Sequence, residues 1–167
     1  MSGIIDTVGS KSGVVGSDVY PAGHIITFKS LDTTPTSANT YVGGAGWTPA
    51  TIYTITINKK LGSTSKIVLM CSYNWNGYYS SGYACISKTK WLRSAPTAWS
   101  SAEFNQYRAS ENNGNAYENH YIQQSNGFTD SSTATGNHTY TMQINTTAGT
   151  GNIPAWPGHV QAMEVKI

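Results

Sequence analysis

Ser65-Lys66-Ile67-Val68-Leu69-Met70-Cys71-Ser72-Tyr73-Asn74-Trp75 is the most apolar run of the chain, and its reading decides the fold. Ile67, Leu69, Cys71, Tyr73 and Trp75 alternate with Lys66, Val68, Met70, Ser72 and Asn74. That two-residue period is the signature of a β-strand with one core face. A turn-rich bridge, 76–82, leads to a second run, Tyr83-Ala84-Cys85-Ile86-Ser87-Lys88-Thr89, which can return antiparallel. A turn centred near Tyr78 sets Tyr73 opposite Tyr83 and Cys71 opposite Cys85. The expectation is a central hairpin with the other strands laid beside it.

Working outward, His24-Ile25-Ile26-Thr27-Phe28-Lys29 reads as the first strand, after a Tyr20-Pro21-Ala22-Gly23 turn. Residues 30–46 read as a long connection or irregular edge. In Ala50 to Asn58, Tyr53, Ile55 and Ile57 alternate with Thr54 and Thr56, as in a half-buried strand. The second arm of the hairpin continues through Lys88 to Arg93. Ser100-Ser101-Ala102-Glu103 has the spacing of a capping box, which predicts a short helix over 102–109. Further strands are expected at Asn119–Gln124, at Gly127–Thr129, and at Thr139–Asn145 with Tyr140, Met142 and Ile144 inward. The last strand spans His159–Ile167, with Gln161, Met163, Val165 and Ile167 on one face and Val160, Ala162, Glu164 and Lys166 on the other. About eight strands without βαβ alternation predict an all-β fold, an antiparallel β-sandwich or jelly roll, for a single head over 19–167. Residues 1–18 precede it as short apolar islands, Ile4-Ile5, Val8 and Val14-Val15, between Gly-Ser joints. Such β-branched islands suit an arm that becomes ordered against a partner better than they suit an idle tail.

Composition excludes several classes. Only 11% of the residues are charged, against about 25% in ordinary soluble domains. Net charge keeps free proteins apart in solution, so so few charges suit a part built into an assembly. The formal net charge is +2 and the cations are scattered, so there is no basic stripe for nucleic acid. No run approaches the roughly 20 apolar residues of a membrane span, and no signal-peptide core is visible. The expected site of synthesis is the cytoplasm, with no membrane partner.

The search for chemistry finds no constellation. His24, His120, His138 and His159 never pair at metal-ligand spacing, so no metal and no cofactor are expected. The acids are dispersed, and neither a nucleophile elbow nor a phosphate-binding loop occurs, so the chain reads as a non-enzyme. Cys71 and Cys85 read either as a cross-strand bridge or as two buried thiols. Trp75, Tyr78 and Tyr79 gather at the expected hairpin tip as a candidate surface for a ligand. Aromatic faces beside amides and hydroxyls bind sugars or protein patches, but the same side chains also close the end of a sandwich or fill a subunit contact.

Four stretches carry a resemblance: Met1 to Ile5 with Gly9 to Gly16, Tyr20 to Ile26, Phe128-Thr129-Asp130 through Thr139 to Ile144, and Ala162 to Val165. With them the chain resembles small virion structural proteins of tailed bacteriophages, in which a short N-terminal arm precedes a trimeric β-sandwich head. The resemblance implies a decoration (cement) protein on the outer surface of the virion. Its partners would be the major capsid protein and two further copies of itself. The runner-up is the receptor- or glycan-binding head of a tail fibre, with a host surface glycan or receptor as partner. The arm discriminates between the two. Eighteen residues without heptads reach at most about 60 Å, enough to grip a coat but too short for a fibre shaft. On this reading Ile4, Ile5, Val8, Val14 and Val15 are the anchoring residues.

Overall fold

The computed structural model describes residues 22–33, 39–42, 46–79, 85–109, 118–148, 150–153 and 157–167. Side chains are described for these except 39–42, 76–79, 85–87, 104–109, 118–126, 147–148 and 150–153. All of the regular structure in them is β. In chain order the strands are β1 (Ile25–Thr33), β2 (Asn39–Val42), β3 (Trp47–Lys59), β4 (Ser65–Tyr79), β5 (Cys85–Ala95) and β6 (Trp99–Ser100). β7 (Phe104–Ala109), β8 (Glu118–Asp130), β9 (Gly136–Ala148), β10 (Thr150–Ile153) and β11 (Gly158–Lys166) complete them.

Two antiparallel sheets result. In the first, β4 takes β11 along Ser65–Ser72 and β10 along Asn76–Tyr78 on one edge, and β8 along the other. β1 then lies outside β11, and β2 outside β10. In the second sheet β9 joins β3 to β5, whose far edge carries β6 and β7. When β1/β2, β10/β11 and β6/β7 are each taken as one rank, the sheets read β1/β2, β10/β11, β4, β8 and β3, β9, β5, β6/β7. By chain order the ranks are first, eighth, third and sixth in one sheet, and second, seventh, fourth and fifth in the other. This is a jelly roll, the arrangement in which successive strands shuttle between two sheets as a pair of Greek keys.

The core is the row of inward positions that alternation predicted. Tyr53, Ile55 and Ile57 of β3 and Tyr140, Met142 and Ile144 of β9 face Ile67, Leu69, Cys71, Tyr73 and Trp75 of β4 and Val160 and Ala162 of β11. Each large side chain fully buried in this way contributes about 1.5–3 kcal/mol. Trp91 of β5 is equally enclosed. Gly158 is required by this packing, since a Cβ there would lie 2.3 Å from the Tyr53 hydroxyl.

Two expectations are corrected, and one of two open readings is closed. The hairpin of β4 with β5 does not form: β4 has both edges filled within its own sheet, and the chain crosses to the opposite sheet before β5 begins. Two consecutive apolar strands thereby face each other across the core instead of lying side by side, which buries both. The 102–109 helix is the strand β7, paired to β5 from Thr89↔Phe104 to Cys85↔Ala109. Ser100 is no helix cap but part of β6, opposite Leu92. Ser101 beside it exchanges hydrogen bonds with Trp91, whose N–H donates to the Ser101 hydroxyl (2.9 Å) and whose carbonyl accepts the Ser101 N–H (2.9 Å). Last, the Cys71–Cys85 bridge falls with the hairpin. Cys71 is a free buried thiol between Val160 and Asn126, while the Cys85 backbone pairs Ala109.

Candidate functional site

The inward positions of β11 end on a carboxylate, Glu164, which is fully buried. It accepts the N–H groups of Lys60 (2.8 Å) and Leu61 (2.7 Å) and the hydroxyls of Ser65 (2.7 Å) and Thr27 (3.2 Å). Burial would push this carboxyl up, but the Lys60 N–H, the Ser65 hydroxyl, the Leu61 N–H and the Thr27 hydroxyl together hold it below the usual range. Lys59 donates its ammonium to the carbonyls of Leu61 and Gly62. Burial lowers its pKa, against the charges of Glu164 and Asp130. Asp130 in turn accepts from the Arg93 guanidinium, the Tyr140 hydroxyl (2.7 Å) and the Ser132 N–H (2.9 Å). Burial, reinforced by Asp130, pushes the Tyr140 hydroxyl up. These groups satisfy one another and cap the core, so they are structural. Among the described residues no three His, Cys, Asp or Glu side chains gather as a metal set.

One surface string has the connectivity of a nucleophile relay. His159 Nδ1 lies 2.5 Å from Asp32 Oδ1, and its Nε2 lies 3.4 Å from Ser30 Oγ. Asp32 and Ser30 stand two residues apart on β1, and His159 lies directly across from Asp32. The Asp32 side chain is 89% exposed, so its carboxylate stays hydrated, and 3.4 Å is the outer limit of a hydrogen bond. The string lies on the outer surface of a sheet, and it ties β1 to β11.

The two outer faces of the sandwich differ sharply in polarity. On the β3–β9 face the cross-strand pairs are polar: Thr54 with Thr141 (3.0 Å), Thr56 with Thr139 (2.9 Å) and Asn58 with Asn137 (2.8 Å). On the β1–β11–β4 face the register aligns Ile25 with Val165, and Phe28 with Met163 and Val68. Met70 follows on β4, and Ile167 extends the row past β11. Phe28 is 54% exposed and Met70 46%, with Ile25 and Ile167 similarly open. Exposed apolar patches of this kind on a soluble protein mark contact surfaces. The sequence carried a signal for this face in Val68 and Met70, and in Met163, Val165 and Ile167, which are apolar on the side that alternation assigns to solvent.

Of the residues expected at the site, Trp75 is corrected. It is 1% exposed and packs in the core, because it continues the inward series of β4. Tyr78 and Tyr79 have paired backbones at the far end of β4, and their side chains lie outside the described residues. Ile4, Ile5, Val8, Val14 and Val15 lie outside the described residues as well. The described residues that follow them begin with a ladder to the last strand. The Gly23 N–H donates to the Lys166 carbonyl (2.8 Å), and the Lys166 N–H donates to the His24 carbonyl (2.9 Å). Gly23 and His24 therefore meet the end of β11 at the corner where the apolar face begins.

No family model matches the chain, and no curated protein matches it. Among solved structures it is similar to dimeric latent PorU from Porphyromonas gingivalis, with a TM-score of 0.42 and 8% identity over 87% of this chain and 13% of that one. The structure of infectious bursal disease virus, Gx strain, gives 0.39 and 9% over 92% and 36%. The xylan-binding domain CBM22-1 from Paenibacillus barcinonensis Xyn10C gives 0.31 and 12% over 89% and 99%. The chain thus spans well under two thirds of the first two.

Proposed function

We propose that this chain is a structural protein of a tailed-bacteriophage virion, a trimeric decoration protein that stabilises the shell. The observation that carries the reading is the fixed root of the arm, laddered by Gly23 and His24 onto Lys166 at one corner of a jelly-roll head. An anchor needs such a point of departure, since a tether that leaves a compact head from a defined corner delivers its apolar residues to a defined distance. The sequence resemblance to phage virion proteins and the low surface charge support the same reading. Three heads close around a three-fold axis, and three arms spread over neighbouring subunits of the major capsid protein. Engaged together, the arms gain an avidity that one would lack. Binding the assembled shell and not its dissociated subunits then stabilises the shell by mass action.

Electron cryo-microscopy of the particle that encodes the chain tests this directly. Density at three-fold positions of the capsid, with arms running over coat subunits, is expected. Density confined to the tail periphery would overturn it in favour of a receptor-binding head.

A further inference from the structure

The arm's root and the apolar face share a corner, and that juxtaposition has a consequence for the arm itself. We infer that the chain covers this face with its own arm: Val14 and Val15, with Val8 behind them, fold back over the Phe28–Met163–Val68 row, and Ile4 and Ile5 remain free at the tip. The exposed large apolar side chains among the described residues belong to this one sheet or to Ile167 just beyond it, and all but Leu31, which is in register with buried Val160, lie along this face, so it is the apolar landing place that the described part of the head offers the valine pair. The chain rejoins the head at Gly23, whose φ of 84° turns it sharply beside Ile25. From Val15 to Ile25 the linking residues span up to about 35 Å, while the row crosses strands spaced about 4.8 Å apart. Every part of the face is therefore within reach of Val14 and Val15. Ile4 and Ile5 lie ten residues farther out, so their longer tether gives them a lower effective concentration at the face, and the valines take it first.

Tethering lets so small a contact form. A linker this short holds the valines at an effective concentration of the order of millimolar, which a free peptide would not reach. Charge agrees, since Lys66 stands beside Val165 at the rim of the face, and the arm carries Asp6 and Asp18 against a single cation, Lys11. The arm is thus pinned near its root and aimed at its tip. This holds whatever the tip grips, so it does not rest on the phage reading, and within that reading it narrows the anchoring residues from Ile4, Ile5, Val8, Val14 and Val15 to Ile4 and Ile5.

The test is a cross-link in the full chain carrying Val14→Cys, Met163→Cys and Cys85→Ser. Cys71 does not compete, because it is buried and its thiol is pushed up to about 12. Mild oxidation in dilute solution is expected to give an intrachain disulfide at the mass of a single chain, with Ile4→Cys in place of Val14→Cys giving far less. An interchain product would overturn the inference in favour of an exchanged arm, and no product would overturn it outright. A second readout needs no covalent bond. Deleting residues 2–16 should raise the fluorescence of an apolar-surface dye several-fold, and Phe28→Ser with Met163→Ser should abolish the rise. Dye binding unchanged by the deletion would mean that the arm never covered the face.

Discussion

Glu164 holds the β3–β4 turn to the end of β11 through three donors, with a fourth from Thr27 of β1, so its charge is part of the fold. Its folded-state pKa lies below the ordinary value, so its stabilisation is present above the ordinary carboxylate range and is lost as pH falls through the folded value. Glu164→Gln should cost about 1.5–3 kcal/mol at neutral pH. Urea unfolding checks this, and the gap between variant and parent should close in acid. With Cys85→Ser in place, thiol titration should find no reaction in the native protein, where burial keeps the Cys71 thiolate away, and one thiol per chain in denaturant. Trp75 shows what residue type alone conceals. Its place in the series from Ile67 told its burial, while its aromatic ring beside Tyr78 and Tyr79 suggested a ligand surface, and the period was the better guide. The buried set of Glu164, Asp130, Arg93 and Lys59 gave no such signal, because its members come from four strands or strand ends that meet only in the folded chain.

At the scale of the element, strands with one apolar face were readable from period alone, including β3, β4, β9 and β11. Their neighbours were not. The β4–β5 hairpin was the economical local solution, yet β4 finds its partners in β8, β10 and β11, which lie far along the sequence. The capping box at Ser100 was likewise overridden, because the open edge of β5 accepts β6 and β7 in its place. Gly158 marks where β11 passes over Tyr53, and it offers a test of how tight the two sheets are. Gly158→Ala should destabilise by about 1–3 kcal/mol through overpacking. Adding Tyr53→Phe should relieve only part of this, because ring carbons remain 2.7 and 2.9 Å from the new methyl. Thermal unfolding of Gly158→Ala, Tyr53→Phe and the double variant separates the contributions.

For the whole molecule, the fold class was legible because about eight strands with no βαβ alternation leave few architectures open. The order of those strands was not, since jelly-roll pairing joins ranks that are distant in the chain. Deleting residues 2–16 should leave every described ladder in place, with circular dichroism unchanged, and should abolish association with the shell in a reconstitution assay. Retained association would locate the anchor on the head. The ladder between Gly23 and Lys166 carries one more implication. It brings the two ends of the head side by side, so the head is nearly a closed loop of chain, and its geometry makes no demand on which strand is synthesised first. A circular permutant that joins Ile167 to Ala22 through a short linker and opens at exposed Thr133 should fold to the same jelly roll, with its start and finish at a different corner.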